Sequence, residues 1–124
     1  YGMELLILDH LGLVKGGSTD NRARELGEIS FDLKWLAKRL DIPVLILIQL
    51  NRAVETRTGK PVLSDLRDSG EIEENLDAAM FLHCDKRDTN NRIVEFGTLK
   101  NRGGQVGWSS QPLKFDAGIQ RWTA

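Results

Sequence analysis

Leu5-Leu6-Ile7-Leu8-Asp9 is four apolar residues closed by a carboxylate, and its partner Val44-Leu45-Ile46-Leu47-Ile48-Gln49 is five apolar residues closed by an amide. Neither run alternates apolar with polar positions. Unbroken apolar strands of this kind suit a parallel sheet buried on both faces. Between them Leu26, Ile29, Leu33, Leu36 and Leu40 recur at spacings of three and four. That spacing predicts an amphipathic helix over about residues 21–40, capped by Ser18, Thr19 or Asp20. Asp41-Ile42-Pro43 ends it, because proline disfavours helical geometry in the residue before it. Strand, helix and strand in this order make a βαβ unit with a right-handed crossover.

Working outward, residues 51–65 are polar, with Arg52, Arg57, Lys60 and a Gly59-Lys60-Pro61 turn. They read as a long mobile loop whose basic residues are solvated. Ser69 can cap a short helix, with Glu71, Glu73 and Glu74 where negative charge favours the helix dipole. Residues 78–83 form a third buried strand, 85–91 a polar turn and 93–99 a fourth strand. Lys100-Asn101-Arg102-Gly103-Gly104 is a loop. Residues 106–109, 113–115 and 119–122 look like short antiparallel strands. The expected fold is therefore α/β: a mainly parallel sheet with helices, followed by antiparallel strands.

Composition narrows the classes. The 124 residues suffice for one domain, and a formal net charge of −1 provides no overall basic field, so any nucleic-acid binding needs a local basic patch. One cysteine, Cys84, permits no internal disulfide, which fits a reducing compartment, and it reads as a small buried residue on a strand. No apolar run approaches the ~18 residues that span a bilayer. The N-terminus has no signal-peptide pattern and enters a core strand almost at once, which raises the expectation of a fragment. His83 and Cys84 are adjacent on a strand and point to opposite faces, so they make a poor metal site. Trp108 and Trp122 are expected to pack rather than stack bases, and Trp35 to lie on the packing face of its helix or its margin.

In an open α/β sheet, ligands bind at the carboxyl ends of the strands, where Asp9 and Gln49 sit. Four apolar residues and an aspartate is the Walker B pattern: a rigid carboxylate that positions Mg²⁺ and its waters beside nucleotide phosphates. On this segment alone, Asp9 merely capping a turn is an equal reading. Gln49 can sense a γ-phosphate, or be an ordinary hydrogen-bonded strand-end amide. His10 reads as structural.

Four stretches in order carry a resemblance. They are Leu5-Leu6-Ile7-Leu8-Asp9-His10, the run from Pro43 through Gln49 to Asn51-Arg52, Ser64-Asp65-Leu66-Arg67-Asp68-Ser69-Gly70-Glu71-Ile72-Glu73, and Leu99-Lys100-Asn101-Arg102-Gly103-Gly104. Together, over about residues 4–122, the chain resembles the DnaB family of hexameric replicative helicases. It is also similar to the helicase part of phage primase-helicases, toward which Asp9-His10 leans. The resemblance implies a partial RecA-like P-loop NTPase core, with residues 1–124 as the C-terminal part of the motor domain. It implies Asp9 as the Mg²⁺-associated aspartate, acting through water, and Gln49 as the sensor. Arg67, Asp68 and Gly70 match a channel loop that holds single-stranded DNA by its phosphates. Lys100 and Arg102 match a pair that reaches the neighbouring subunit's nucleotide, Arg102 as the arginine finger. Implied cofactors are ATP and Mg²⁺. Implied partners are single-stranded DNA, five further copies in a ring, primase and a helicase loader, in the cytoplasm of a bacterium or phage-infected cell.

The roles are physically reasonable. Gly70 lets backbone N–H groups approach a phosphate, and Arg67 can add a charge-assisted contact. Gly103-Gly104 lets the loop present Arg102 outward. The alternatives are a solvated Arg67, or one paired with Asp65 or Asp68, and an ordinary basic turn at Lys100 and Arg102. No G-x-x-x-x-G-K-[ST] loop occurs in the 124 residues, so the chain alone is expected to be inactive as an ATPase. Of two explanations, a fragment of a longer helicase or a degenerate relative that binds without hydrolysing, the fragment is favoured, because the Walker B and finger motifs are intact. Other RecA-like ATPases, such as a recombinase or a clock-type ATPase, and a non-catalytic interaction module are the competing classes. An uncovered sheet face is expected if a covering strand and helix are missing.

Overall fold

The run at residues 5–8 contributes strand β1 (Leu6–Leu8) and the run at 44–48 contributes β2 (Val44–Ile46) in the computed structural model, which describes residues 2–16, 21–66, 69–84 and 91–123. Tyr1–Arg57 with Leu63–Leu76 form one compact unit, and Thr58–Val62 with Asp77–Ala124 form another.

In the first unit β1 and β2 pair in parallel, Leu6 opposite Val44 and Leu8 opposite Ile46. Pairing continues past both strands: Leu47 N–H donates to the Leu8 carbonyl at 3.0 Å, and Leu11 N–H to the Leu47 carbonyl at 3.0 Å. The expected helix is α1 (Arg22–Leu40). Its cap is Asn21, whose side-chain oxygen accepts from Ala23 N–H at 3.0 Å and Arg24 N–H at 3.4 Å. This corrects the expected cap at Ser18, Thr19 or Asp20, of which all three lie outside the described residues. Asparagine performs the same capping chemistry one residue later. At the other end Asp41 takes a left-handed conformation, φ 52 and ψ 43, and the N–H groups of Asp41 and Ile42 both reach the Ala37 carbonyl. A residue in this conformation turns the chain off the helix axis, and Pro43 prevents its continuation.

The core of this unit is Leu11, Leu26 and Ile72, with Leu8, Ile29, Leu33, Ile46, Ile48 and Leu76 packed against it. Ile72 comes from α3 (Ser69–Asn75), which packs on α1. Gly27 makes the close approach possible: a Cβ there would fall 2.0 Å from a Glu71 carboxylate oxygen and 2.7 Å from Glu71 Cβ. Polar atoms at this contact are satisfied, since Ser30 Oγ donates to the Gly27 carbonyl at 2.7 Å and Asn75 Nδ2 donates to Ser30 Oγ at 2.8 Å.

The expectation of burial on both faces of the strands is corrected. Leu6, Leu8, Val44 and Ile46 face the helices, whereas Leu5, Ile7, Leu45 and Leu47 are exposed. Among the described residues of this unit, helices cover one face only. Trp35 is also half exposed, edge-on to Phe31 with ring centroids 6.1 Å apart, and so lies off the packing stripe.

Residues 51–65 are not the structureless loop expected. They hold α2 (Ala53–Thr56) and a 3₁₀ turn at Leu63–Asp65. Their ends are tied by a Leu50–Leu66 bridge, by Asn51 N–H donating to the Asp65 carbonyl at 2.8 Å, and by an Arg57–Asp65 ion pair. Arg57 is thus a tether rather than a solvated charge.

The second unit is an antiparallel sheet of β3 (Ala78–His83), β4 (Asn91–Asn101), β5 (Gly107–Trp108), β6 (Leu113–Asp116) and β7 (Arg121–Thr123), in the order β3-β4-β6-β7 with β5 also on β4. Parallel pairing among the described residues is confined to β1 and β2. Strand β3 buries Ala79 and Phe81 and exposes Met80 and Leu82, so it is buried on one face rather than two. Such alternation is usual where an antiparallel sheet is covered on one side. Trp108 packs as expected: its ring lies where a Gly97 Cβ would be, 2.6 Å from the nearest ring atom. Lys60 Nζ stands 4.9 Å from the Trp108 ring centroid and donates to Glu95 at 2.6 Å. Lys60 too is partnered, contrary to the sequence expectation. No helix among the described residues is long and apolar enough to cross a membrane.

Candidate functional site

Parallel pairing brings the ends of β1 and β2 to one edge of the first unit, and with them Asp9, His10 and Gln49. Asp9 and Gln49 follow paired strands and both are exposed. The turn after β1 is held by His10, not by Asp9: Gly12 N–H donates to His10 Nδ1 at 3.1 Å. The other ring nitrogen, Nε2, lies 3.4 Å from the Gln49 side-chain amide. The Asp9–His10 peptide is cis. Beside this edge is a cleft of about 120 Å³, lined by His10, Leu11, Gly12, Arg22, Gln49 and Ile72 among others.

The segment leaving the edge is anchored by α1. Arg22 donates to the carbonyls of Gly12 at 2.8 Å and Val14 at 2.9 Å, and pairs with Glu25. Glu25 in turn accepts from Gly16 N–H at 2.6 Å. Neither residue stands out as a site candidate in the sequence. The i,i+3 spacing of Arg22 and Glu25 was the available signal. The hydrogen bond from Arg22, with that from Gly16, holds the Glu25 carboxyl below its ordinary range. A carboxyl so lowered stabilises the fold above its unfolded titration, and that contribution is lost as pH falls through the lowered value. Glu25→Gln is therefore expected to lower the melting temperature near neutral pH and to reduce its fall on acidification from about pH 5 downward. Thermal unfolding of both chains across pH checks this; parallel curves for the two would exclude the role.

Lys100 and Arg102 lie in the second unit, Lys100 near the end of β4 opposite Ala79 and Arg102 in the turn that follows. Asn101 shapes that turn, its side-chain oxygen accepting from Gly103 N–H at 3.1 Å. Arg102 N–H donates to the Asp77 carbonyl at 2.9 Å, while its guanidinium, 56% exposed, stands 3.7 Å from the Asp77 carboxylate. Arg67 and Asp68 lie outside the described residues, and Gly70 is exposed in the first turn of α3 with nothing within 4 Å of a would-be Cβ.

No group of three His, Cys, Asp or Glu among the described residues is placed to hold a metal ion. One exposed carboxylate on a strand end suits Mg²⁺ that keeps its waters and is held mainly by a nucleotide. The edge therefore fits the water-mediated role expected for Asp9.

Comparison with known proteins gives the family. Residues 1–124 match the family described as the DnaB-like helicase C terminal domain. The chain is 42% identical over 113 residues to the replicative DNA helicase DnaC of Bacillus subtilis, covering 86% of this chain and 25% of that protein. It is 40% identical over 123 residues to a probable plasmid replicative DNA helicase of Chlamydia trachomatis, covering 98% of this chain and 26% of that protein. A solved structure of a DnaB-like replicative helicase, reported with its interactions with primase, superposes with a TM-score of 0.80 at 36% identity, over 91% of this chain and 29% of the other. The chain spans about a quarter of the length of the curated relatives it matches.

Proposed function

From the premise that the chain belongs to the DnaB-like helicase C-terminal domain family, we propose that it is the C-terminal part of a RecA-like motor that couples ATP hydrolysis to unwinding of duplex DNA. Six such motors form a ring, and nucleotide is hydrolysed between neighbours while single-stranded DNA passes through the centre. The observation that carries this reading is the shared edge, where a carboxylate and an amide terminate adjacent parallel strands.

Each residue has a task in this motor. Asp9 orients the waters of nucleotide-bound Mg²⁺, and Gln49 reports on the terminal phosphate. Lys100 and Arg102 reach the nucleotide of the adjoining subunit. Arg67, Asp68 and Gly70 line the channel and hold DNA by its phosphates. When bound, Mg-ATP supplies the phosphoryl group and the free energy of its transfer. Primase and a helicase loader are the partners, in the cytoplasm of a bacterium or phage-infected cell.

Asp9→Asn in the full-length protein tests the reading. DNA-stimulated hydrolysis and strand separation are both expected to be lost while the ring still assembles; unimpaired hydrolysis would rule the assignment out. The chain alone is expected to show no turnover, since it contains no G-x-x-x-x-G-K-[ST] loop. Arg67→Ala is expected to weaken single-stranded DNA binding equally for all sequences, and to lower the slope of log affinity against log salt by about 0.7, one phosphate contact. Unchanged affinity at low salt would count against the channel loop.

A further inference from the structure

His10 has no part in the reading above, yet its ring joins the two strand ends on which that reading depends. Its Nδ1 accepts from Gly12 N–H at 3.1 Å, and its Nε2 lies 3.4 Å from the amide nitrogen, Nε2, of Gln49. A neutral imidazole carries one proton. With Nδ1 occupied as an acceptor, that proton sits on Nε2. Nε2 then donates toward Gln49; the atom nearest it is the amide nitrogen, also a donor, so a hydrogen bond requires the amide to turn its oxygen to the ring. Both N–H donors of Gln49 are thereby left to face an anion.

A second observation concerns the space the ring occupies. A Cβ on Gly12 would lie 2.9 Å from His10 Cε1 and 3.0 Å from Nδ1. Gly12 thus contributes twice, by its N–H and by its missing side chain. The next turn is pinned separately, through Arg22 on the Gly12 and Val14 carbonyls.

We propose that His10 is a positioning residue that fixes the rotamer and amide orientation of Gln49, with Gly12 fixing the ring. The role rests on the reading of Gln49 as the phosphate sensor. An amide free to turn presents oxygen or nitrogen to a phosphate with similar ease, and the oxygen repels it. Holding the oxygen at His10 removes the unproductive half of these orientations before nucleotide arrives.

The first test needs no nucleotide. Long-range ¹H–¹⁵N correlation of the imidazoles in the 124-residue chain can resolve both rings, as the sequence has only two histidines. The His10 pattern is expected to be that of a neutral ring protonated on Nε2. Gly12→Ala is expected to convert it to a mixture of tautomers while His83 stays unchanged. In His10→Asn the new side-chain oxygen can still take the Gly12 N–H, but nothing reaches Gln49, so the Gln49 side-chain NH₂ signals are expected to shift. A proton on Nδ1 in the unaltered chain, or Gln49 signals unmoved in His10→Asn, would overturn the proposal.

The second test uses the full-length protein. His10→Asn is expected to lower kcat of DNA-stimulated hydrolysis by about 10- to 100-fold, the scale of a misplaced group, with KM for ATP little changed. His10→Gln, whose amide reaches toward the Nε2 position, is expected to recover most of that loss. Gln49→Ala separates the two ideas. If it lowers kcat while His10→Asn does not, the positioning role is wrong; if it leaves kcat intact, the sensor reading itself is wrong, whatever the imidazole spectra show.

Discussion

Arg102→Ala in the full-length protein is expected to lower DNA-stimulated NTP hydrolysis by roughly 10³- to 10⁵-fold, the contribution of arginine fingers in well-studied NTPases. Nucleotide binding and ring assembly are expected to persist. The argument starts from the turn after β4. Backbone contacts hold Arg102 in place, through its N–H on the Asp77 carbonyl at 2.9 Å and through Asn101 on Gly103 N–H at 3.1 Å. The guanidinium faces Asp77 at 3.7 Å with both side chains more than half exposed. An exposed pair of this kind contributes about 0–1 kcal/mol. A phosphate offered by a neighbouring subunit would outcompete it with little loss. The backbone of the turn is thus held while the guanidinium stands at the surface, the placement a finger supplied in trans requires.

Arg102→Lys is expected to rescue little, because an ammonium cannot reproduce the planar fork that grips two phosphate oxygens. Steady-state hydrolysis together with nucleotide-binding titrations decides the matter. Normal turnover by Arg102→Ala would remove the finger assignment. Loss of binding in step with turnover would make the residue a simple binding group.

Ile72→Ala is expected to destabilise the first unit by about 2–5 kcal/mol, the range for truncating a large aliphatic core residue. Ile72 is fully enclosed between α1 and the β1–β2 pair, in one cluster with Leu11 and Leu26. The cavity cannot collapse easily, because α3 already sits as close to α1 as Gly27 and Glu71 permit. Whole domains are stable by only about 5–15 kcal/mol, so the effect is a large share of the total. Ile7→Ala is the control: Ile7 is 56% exposed and its loss is expected to cost about 0.5 kcal/mol or less. Equilibrium denaturation of the three chains measures the difference. Equal stability for Ile72→Ala and Ile7→Ala would show that the cluster is not the core of the unit.

This contrast also marks how far the primary structure could be read. The apolar run of Leu5 to Leu8 identified a strand, but not which of its residues would be covered. Ile7 and Leu6 are equally apolar, and only the helices lying on one side of the sheet distinguish them. The loop at 51–65 misled for a related reason. Its polarity is real, yet Arg57 and Asp65 are eight residues apart and meet only because the chain folds back.

Local chemistry was legible in the sequence by itself. The apolar strands, the periodic helix, its stop at Asp41-Ile42-Pro43, the turn residues and the ordered motifs that place the chain in its family all depend on neighbours within a few positions. The tertiary structure alone decided which face of the sheet is covered, that Asn21 rather than an earlier residue caps α1, and that His10 stands between Gly12 and Gln49. Those outcomes depend on pairs that meet in space, such as His10 and Gln49, 39 residues apart. Residue type states what a side chain can donate or accept, and packing determines which partner comes within its reach.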